Sequence, residues 1–453
     1  MKPTPRFWIC LFTIVCAIHG MGPLPLQADD SIRWPAFLGS GSSGIADNKL
    51  PASWSKTDGI QWKLPLVGHG QSSPVVWDDS VIVTTVDGKM KDRLLTYCIE
   101  LNTGKVRWTQ TISNTAPAKN SVYISRAATT PVVDAERIIS YFESGDCVAY
   151  NHAGDTLWQR DLNKDYGPFV AEFGLAASPC QTADHVIVLI EHDGPCRLLA
   201  LDKKTGATVW QTERTPRRSW SSPATFQIDG TEQIIVSSAG SVDGYDAADG
   251  KLLWTIDGVG GNTGVTPIDA GAGRFLIGAA GGRQGENETA AKRSNGLVQV
   301  KHDGGEWKAS VVWTNEKLSP SWASPILHRG LAYWVNRVGV VSCADAETGE
   351  LIYSERLKQS CWATPIAVGD RLYFFGKDGI TSVIAAGRTF QVLHENELFD
   401  PDQLPPESTS LEEETTEERR RASAMFSAPT VYGAAVAGDR FVVRIGNQVF
   451  CIR

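Results

Sequence analysis

The stretch that decides the fold is "LALDKKTGATVW", Leu199 to Trp210, which reads as a β-strand, a turn ending in glycine, and a second strand closing on tryptophan. Such turns favour tight β-hairpins because glycine tolerates a positive φ angle. The same spacing, a glycine four residues before an aromatic residue, recurs along the chain. Its occurrences are Gly104–Trp108, Gly154–Trp158, Gly206–Trp210, Gly250–Trp254 and Gly349–Tyr353.

A second phrase, a small residue followed by proline, occurs eight times and usually precedes a β-rich run. Its occurrences are Ser73-Pro74, Thr130-Pro131, Ser178-Pro179, Ser222-Pro223, Thr266-Pro267, Ser324-Pro325, Thr364-Pro365 and Ala428-Pro429. Each unit therefore holds about four short strands and no helical period. One such sheet cannot bury both of its faces, whereas a ring of sheets buries them all. The sequence predicts an all-β fold, a single eight-bladed β-propeller of four-stranded antiparallel blades.

The two ends of the chain are expected to close this ring. The last unit, which ends at Arg453, has three strands and no closing aromatic residue, while Gly59–Leu66 precedes the first unit and carries Trp62. Pairing these two segments removes two frayed edges. We therefore predict that the N-terminal strand completes the C-terminal blade, with the closing aromatic of each blade packed against its neighbour.

The N-terminus reads as an export signal. Lys2 and Arg6 are followed by an apolar run from Phe7 to Ile18, which is too short to span a bilayer comfortably. We expect cleavage after Ala28, so that residues 1–28 are a signal peptide, 29–58 an N-terminal extension and 59–453 the propeller, with a charged insertion at 400–423. The predicted protein is exported to the periplasm or cell surface, monomeric, and without a transmembrane segment in its mature chain.

Composition excludes several classes of function. The 453 residues carry a formal net charge of −8, which argues against nucleic-acid binding. Seven of the nine cysteines follow the predicted signal, an odd number without a C-x-x-C pair, and small buried roles suit them. The histidines show no zinc spacing. The segment "GSGSSG", Gly39–Gly44, lacks the preceding strand and following helix of a dinucleotide site, so we read it as a flexible loop.

The repeat resembles that of propellers built from PQQ-type repeats. Their docking phrase, A-x-D-x-x-T-G-x-x-x-W, is matched by Ala200–Trp210, and the resemblance covers most of the mature chain. The opening "WPAFLGSGSSGIADNKLPASW" is similar to exported members from planctomycete-type bacteria. The resemblance implies one of two classes, which the fold does not separate. One comprises quinoprotein dehydrogenases, which hold pyrroloquinoline quinone (PQQ) and calcium over the channel. The other comprises non-catalytic scaffolds, typified by the propeller lipoprotein of the outer-membrane β-barrel assembly machine.

The sequence favours the scaffold. Many enzymes of the resembled family carry a disulfide between adjacent cysteines beneath the quinone, and this chain has no adjacent pair. We predict no catalytic residue, no metal and no cofactor, and a partner that is an envelope protein or peptide. Two alternatives stay open: a PQQ- and calcium-dependent alcohol or sugar dehydrogenase, and a polysaccharide-binding propeller.

The candidate ligand surface is aromatic and lies three residues before the repeated prolines. These positions begin the innermost strands, so they are expected to ring one mouth of the channel. They hold Trp220, Trp322, Trp362 and Phe426, with Gln71 at the same position of the first blade. Arg217 and Arg218 adjoin Trp220, and a small planar anionic ligand would stack on tryptophan and pair with arginine. The alternative, which we favour, is that these rings plug a wide channel.

Overall fold

Eight sheets follow one another along the chain in the computed structural model, which describes Met1 and residues 32–39, 49–261, 264–282, 287–404, 416–417, 419–420, 426 and 429–453. The predicted signal peptide and its cleavage site lie outside the described residues, apart from Met1. Residues Ile32–Arg453 form one compact unit. The described part of the chain contains no helix long and apolar enough to span a membrane.

The first four blades each hold four strands in sequence order, and blade one gains a fifth. Blade one comprises β1 (Arg33–Trp34), β3 (Val75–Trp77), β4 (Ser80–Asp87), β5 (Arg93–Glu100) and β6 (Val106–Ser113). Blade two comprises β7 (Val132–Val133), β8 (Ile138–Tyr141), β9 (Asp146–Tyr150) and β10 (Thr156–Asp161). Blade three comprises β11 (Cys180–Gln181), β12 (His185–Ile190), β13 (Cys196–Asp202) and β14 (Thr208–Arg214). Blade four comprises β15 (Ala224–Ile228), β16 (Thr231–Ser238), β17 (Gly240–Asp246) and β18 (Leu252–Val259).

The other four blades repeat this order, and the last borrows its outer strand from the N-terminus. Blade five comprises β19 (Ile268–Gly271), β20 (Arg274–Ile277), β21 (Gly296–Asp303) and β22 (Glu306–Thr314). Blade six comprises β23 (Ile326–His328), β24 (Leu331–Val335), β25 (Val340–Asp345) and β26 (Leu351–Arg356). Blade seven comprises β27 (Ile366–Val368), β28 (Arg371–Phe375), β29 (Ile380–Ala385) and β30 (Val392–Glu397). Blade eight comprises β31 (Val431–Ala437), β32 (Arg440–Ile445), β33 (Gln448–Ile452) and β2 (Ile60–Pro65).

Helix is almost absent from the described residues. Two five-residue helices, α1 (Leu162–Tyr166) and α2 (Glu288–Lys292), and one 3-10 turn (Pro401–Gln403) lie in connections between strands. The prediction of an all-β, eight-bladed propeller is therefore confirmed. The predicted ring closure is confirmed as well, because β2 pairs antiparallel with β33, with Lys63 opposite Phe450 and Trp62 opposite Cys451.

Neighbouring blades are joined by the repeated tryptophans. The indole Nε1 of Trp158 donates to the carbonyl of Lys203 in the next blade at 2.9 Å, and the same bond recurs at four other junctions. These are Trp62 to Leu101, Trp108 to His152, Trp210 to Ala247 and Trp313 to Ala346. The turn glycine of the next blade lies flat against the ring, so a Cβ on Gly206 would stand 2.6 Å from Trp158. The glycine-to-aromatic spacing is thus a blade-to-blade joint, as the sequence predicts.

Trp254 in blade four departs from this rule. Its Nε1 donates to Oε1 of Gln233 in its own blade at 2.8 Å, and its ring covers Gly244. Blade five has the extended hairpin of β21 and β22 where blades three, four and six have the Asp…Gly turn. Because that turn is missing, blade five offers no glycine against which the Trp254 ring could pack. The ring packs on its own sheet in blade four instead.

A second set of joints lies at the inner strands and explains the small residue before proline. The backbone N–H of each such serine or threonine donates to the hydroxyl oxygen of the next, from blade one to blade seven. Six bonds of 2.9–3.2 Å form this belt: Ser73 to Thr130, Thr130 to Ser178, Ser178 to Ser222, Ser222 to Thr266, Thr266 to Ser324 and Ser324 to Thr364. The hydroxyl is therefore an interblade acceptor, and Ala428, which lacks one, lies outside the described residues.

Residues 33–38 lie at the channel end opposite the proline phrases. Strand β1 adds to the innermost strand of blade one, with Arg33 opposite Trp77. Pro35 then accepts the N–H of Val133 in blade two at 2.8 Å, and Leu38 packs among buried residues of blades five and six. This end of the channel is therefore crossed by the chain itself.

Candidate functional site at the channel mouth

Three of the four predicted mouth aromatics lie in mutual contact. The ring centroids of Trp322 and Trp362 are 4.3 Å apart, and Phe426 lies 5.3 Å from Trp362 and 6.2 Å from Trp322. Trp322 remains 39% exposed, which is unusual for a side chain of this size in a packed group. These three rings, of which Trp362 and Phe426 are half-buried, form one aromatic patch over blades six to eight.

The fourth, Trp220, reaches that patch through two rings that the sequence did not single out. Phe173 lies 6.3 Å from Trp220 and 5.4 Å from Tyr123, which in turn lies 5.7 Å from Phe426. We call the six rings of Trp220, Phe173, Tyr123, Phe426, Trp362 and Trp322 the mouth aromatics. Together they form a continuous row across the mouth from blade four to blade six.

Connections between blades supply the two additional rings. Tyr123 belongs to the insertion between blades one and two, which the repeat pattern reveals. Phe173 belongs to the connection that follows α1, between blades two and three. No spacing rule places either ring, since a long connection carries no periodic pattern.

The two predicted arginines are held by groups of the chain itself. Arg218 donates to Asp193 at 2.8 Å and to Glu172 at 3.1 Å. The hydrogen bond from Arg218 lowers the pKa of Asp193, and the pKa of Arg218 is raised in turn. Arg217 donates to the hydroxyl of Ser241 at 2.8 Å. A planar anionic ligand at Trp220 would have to displace these partners before it could pair with the guanidinium group of Arg217 or Arg218.

Gln71, at the first blade, lies beside buried cations. Its Oε1 accepts the N–H of Arg126 at 2.9 Å, and its Nε2 lies 3.5 Å from the hydroxyl of Tyr432. Arg126 and Arg444 are both fully buried here. Burial lowers the pKa of Arg444 to about 9, and burial together with these two arginines holds the pKa of His69 well below its ordinary value.

The charged insertion between blades seven and eight also reaches the mouth. Among its described residues, Arg419 donates to Glu172 at 3.2 Å, and its guanidinium lies 5.5 Å from the ring of Tyr123. Phe426, at the end of the same connection, also contacts Tyr123, with the ring centroids 5.7 Å apart. Side chains from three separate connections thus meet on this one face.

The described residues offer no metal centre. No group of three or more His, Cys, Asp or Glu among them is arranged to hold an ion. All seven cysteines after the predicted signal are free, buried thiols. Burial raises the pKa of the Cys147 and Cys180 thiols to about 12, so they stay protonated and unreactive at neutral pH.

Comparison with known proteins gives one matching family and several similar chains. The matching family is described as outer membrane protein assembly factor BamB, and it matches residues 45–167, 97–311 and 294–397. The BamB of Moranella endobia is 22% identical over 267 residues, which are 48% of this chain and 64% of that protein. The BamB of Burkholderia pseudomallei is 27% identical over 239 residues, which are 49% of this chain and 57% of that protein. The aligned part is less than two thirds of either relative.

Solved structures share the fold across both functional classes. The crystal structure of BamB from Moraxella catarrhalis superposes with a TM-score of 0.56 at 14% identity, covering 86% of this chain and 98% of that one. The quinohemoprotein alcohol dehydrogenase of Comamonas testosteroni superposes with a TM-score of 0.54 at 12% identity, covering 92% and 80%. At these identities the likeness concerns the propeller alone, and the family match carries the assignment. The chain belongs to the family described as outer membrane protein assembly factor BamB.

Proposed function

We propose that this protein is a non-catalytic binding scaffold of the cell envelope, acting in outer membrane protein assembly as the name of its family suggests. Its partner is another envelope protein, held at the mouth aromatics. Family membership supports the class of function. The single observation that supports this location of the binding site is the row of six contacting rings, which ends at the exposed Trp322.

The chemistry of the mouth suits a protein partner. Tryptophan, tyrosine and arginine dominate the binding energy of protein interfaces, and their contribution is greatest where neighbouring contacts exclude water. Here the rings are already packed on one another, so they lose little conformational freedom when a partner arrives. Arg218 and Arg419 both pair with Glu172 at the rim. They add a polar border of the kind that surrounds protein-binding patches.

The rival function, quinone-dependent oxidation, finds less support in the same residues. PQQ is planar and anionic, and it would need a tryptophan face together with accessible cations. Trp322 and Trp362 pack against each other with their rings tilted by 54°, and the guanidiniums of Arg217 and Arg218 are bound to the chain's own oxygens. The dehydrogenase neighbour shares the fold at 12% identity and lends no site residue.

Photo-crosslinking in whole cells tests the proposal. A photoreactive amino acid replaces Trp322 in one strain and Val209 in another. Val209 is 48% exposed on the outer strand of blade three, away from the mouth, and serves as the matched control. We expect a discrete cross-linked envelope protein from position 322 that is absent from position 209. Equal products at both positions, or none at position 322, would refute a mouth-centred scaffold.

A further inference from the structure

The turn after the second strand of blade six brings an arginine to the exposed end of the mouth aromatics. The backbone N–H of Arg337 in this turn donates to the hydroxyl of Ser321 at 3.0 Å, which fixes the turn beside Trp322. The guanidinium of Arg337 lies 5.9 Å from the centre of the Trp322 ring, within the range of a cation–π contact. Val338, the next residue in the turn, is 44% exposed. We call Trp322, Arg337 and Val338 the blade-six corner.

Arg337 stands at a position that the repeat defines in four blades, twelve residues after the proline. In each of them the first residue after the proline pairs with the eighth, so the position is structurally equivalent. It holds Glu143 in blade two, Glu191 in blade three, Arg337 in blade six and Lys377 in blade seven. The two blades with a cation here carry tryptophan three residues before the proline, and the two with glutamate carry alanine. Lys377 lies 5.0 Å from the ring of Trp362, so the arrangement of cation over ring occurs twice.

The glutamates at this position are neutralised inside the chain, whereas Arg337 is not. Glu143 pairs with Lys91 at 3.0 Å, and Glu191 pairs with Arg214 at 2.8 Å. No carboxylate in the described part of the chain forms an ion pair with Arg337, and the residues on either side of it are uncharged. The charge of Arg337 is therefore balanced by no acidic group of the described residues.

A second cation adds to this charge. Nη1 of Arg356, on the outer strand of the same blade, donates to the carbonyl of Val338 at 3.4 Å. Glu355 precedes it, and its side chain points to the other face of the strand, because successive side chains alternate. Glu316, the last acidic residue before Trp322, pairs with Arg293 at 3.2 Å. The blade-six corner is thus locally positive on a chain whose formal net charge is −8.

This combination of charge and apolar surface favours a partner segment that is acidic and apolar. A carboxylate forms two parallel hydrogen bonds with a guanidinium, and such charge-assisted bonds are stronger than neutral ones. An apolar side chain beside that carboxylate would leave water for the surface of Trp322 and Val338. A basic segment would meet two arginines, and like charges across an interface are unfavourable. The net negative charge of the whole chain disfavours an anionic membrane at long range.

We propose that the blade-six corner binds a partner segment in which an acidic residue neighbours an apolar one. The carboxylate pairs with Arg337, and the apolar side chain packs on Trp322. This inference rests on the proposed function, since it names the chemistry of the protein held at the same mouth. It assigns the acidic contact to blade six, whereas Arg218 at the other end of the row is already bound to Asp193 and Glu172.

Binding is measured on the purified full chain by fluorescence anisotropy with two labelled peptides, which contain Glu-Leu-Glu or Lys-Leu-Lys at the same place. We expect the acidic peptide to bind at least about tenfold more tightly at low salt, and this preference to shrink as salt screens the charges. Arg337→Glu should weaken binding of the acidic peptide at least about tenfold, because a charge-assisted hydrogen bond is lost. Arg337→Lys keeps the charge and should keep most of the affinity.

Lys204→Glu is the matched control, because it changes the net charge of the chain by the same amount as Arg337→Glu. Lys204 is exposed in the turn after β13, at the end of blade three away from the mouth. This variant should bind the acidic peptide like the unaltered protein.

Four outcomes would overturn the proposal. They are equal binding of the two peptides, no saturable binding of either at millimolar concentration, the same affinity in Arg337→Glu as in Lys204→Glu, and Arg337-dependent binding of anionic phospholipid vesicles, which would make the corner a membrane contact. The cross-linking test at position 322 is independent of peptide charge. A cross-linked envelope protein together with equal peptide binding would leave the scaffold standing and refute only the acidic partner.

Discussion

The interblade joint makes a sharp prediction at Gly206. Alanine there would meet two costs. At φ +72 an L-residue is strained by about 1–2 kcal/mol, and a Cβ 2.6 Å from the ring of Trp158 adds an overpacking cost of about 1–3 kcal/mol. We expect Gly206→Ala to lower the free energy of unfolding by about 2–5 kcal/mol.

The chain contains a matched control for this experiment. Gly230 has φ +80, close to that of Gly206, and no atom lies within 4 Å of the position its Cβ would take. Gly230→Ala should therefore cost only the backbone strain, about 1–2 kcal/mol. Urea unfolding of the two variants, followed by tryptophan fluorescence, gives the difference. Equal destabilisation would show that the Trp158 ring does not press on Gly206, and the account of the repeat would be wrong.

Three further predictions concern the belt, the closure and the buried histidine. Ser222→Ala removes the acceptor for the N–H of Ser178 and should destabilise by about 1–3 kcal/mol in urea unfolding, whereas Ser222→Thr should be nearly neutral, because threonine serves at other links of the belt. Trp62→Ala removes the tryptophan at the junction between blades eight and one, and it should lower the free energy of unfolding by about 3–5 kcal/mol in the same assay. A change below about 1 kcal/mol would contradict the proposed role of Trp62 in closing the ring. Burial and nearby arginines hold the pKa of His69 below 6.5, so as pH falls through 6.5 the unfolded chain binds a proton before the folded one does. Stability should fall by up to about 1.4 kcal/mol per pH unit in that window, and His69→Gln should remove this part of the slope; an unaltered slope would refute it.

The fold was predictable because its units repeat and each repeat carries a physical constraint. The turn glycine at each of five blade junctions has positive φ and lies against the tryptophan of the preceding blade, so the same pair recurs at these junctions. Trp254 departs from this pattern because blade five lacks the turn, and this becomes visible only when the neighbouring blade is known. The serine and threonine belt was hidden for a different reason, since the pattern reveals a small residue but not the partner of its hydroxyl.

The candidate site was only partly predictable. Trp220, Trp322, Trp362 and Phe426 follow from their place before the prolines, which the repeat fixes. Tyr123 and Phe173, which join them into one row, come from connections without a periodic pattern. The pairing of Arg218 with Asp193 and Glu172 likewise depends on contacts between distant segments, and it occupies an arginine that was expected to pair with a ligand.

We propose that the mouth is a protein-binding surface and not the seat of a redox cofactor. Titration of the purified, cooperatively folding protein with PQQ and calcium tests it most directly, with tryptophan fluorescence and dye-linked oxidation of alcohols and sugars as readouts. The account predicts no saturable quenching and no turnover. Saturable quenching that is lost in Trp220→Ala, together with turnover, would contradict it and establish a quinone-dependent oxidoreductase.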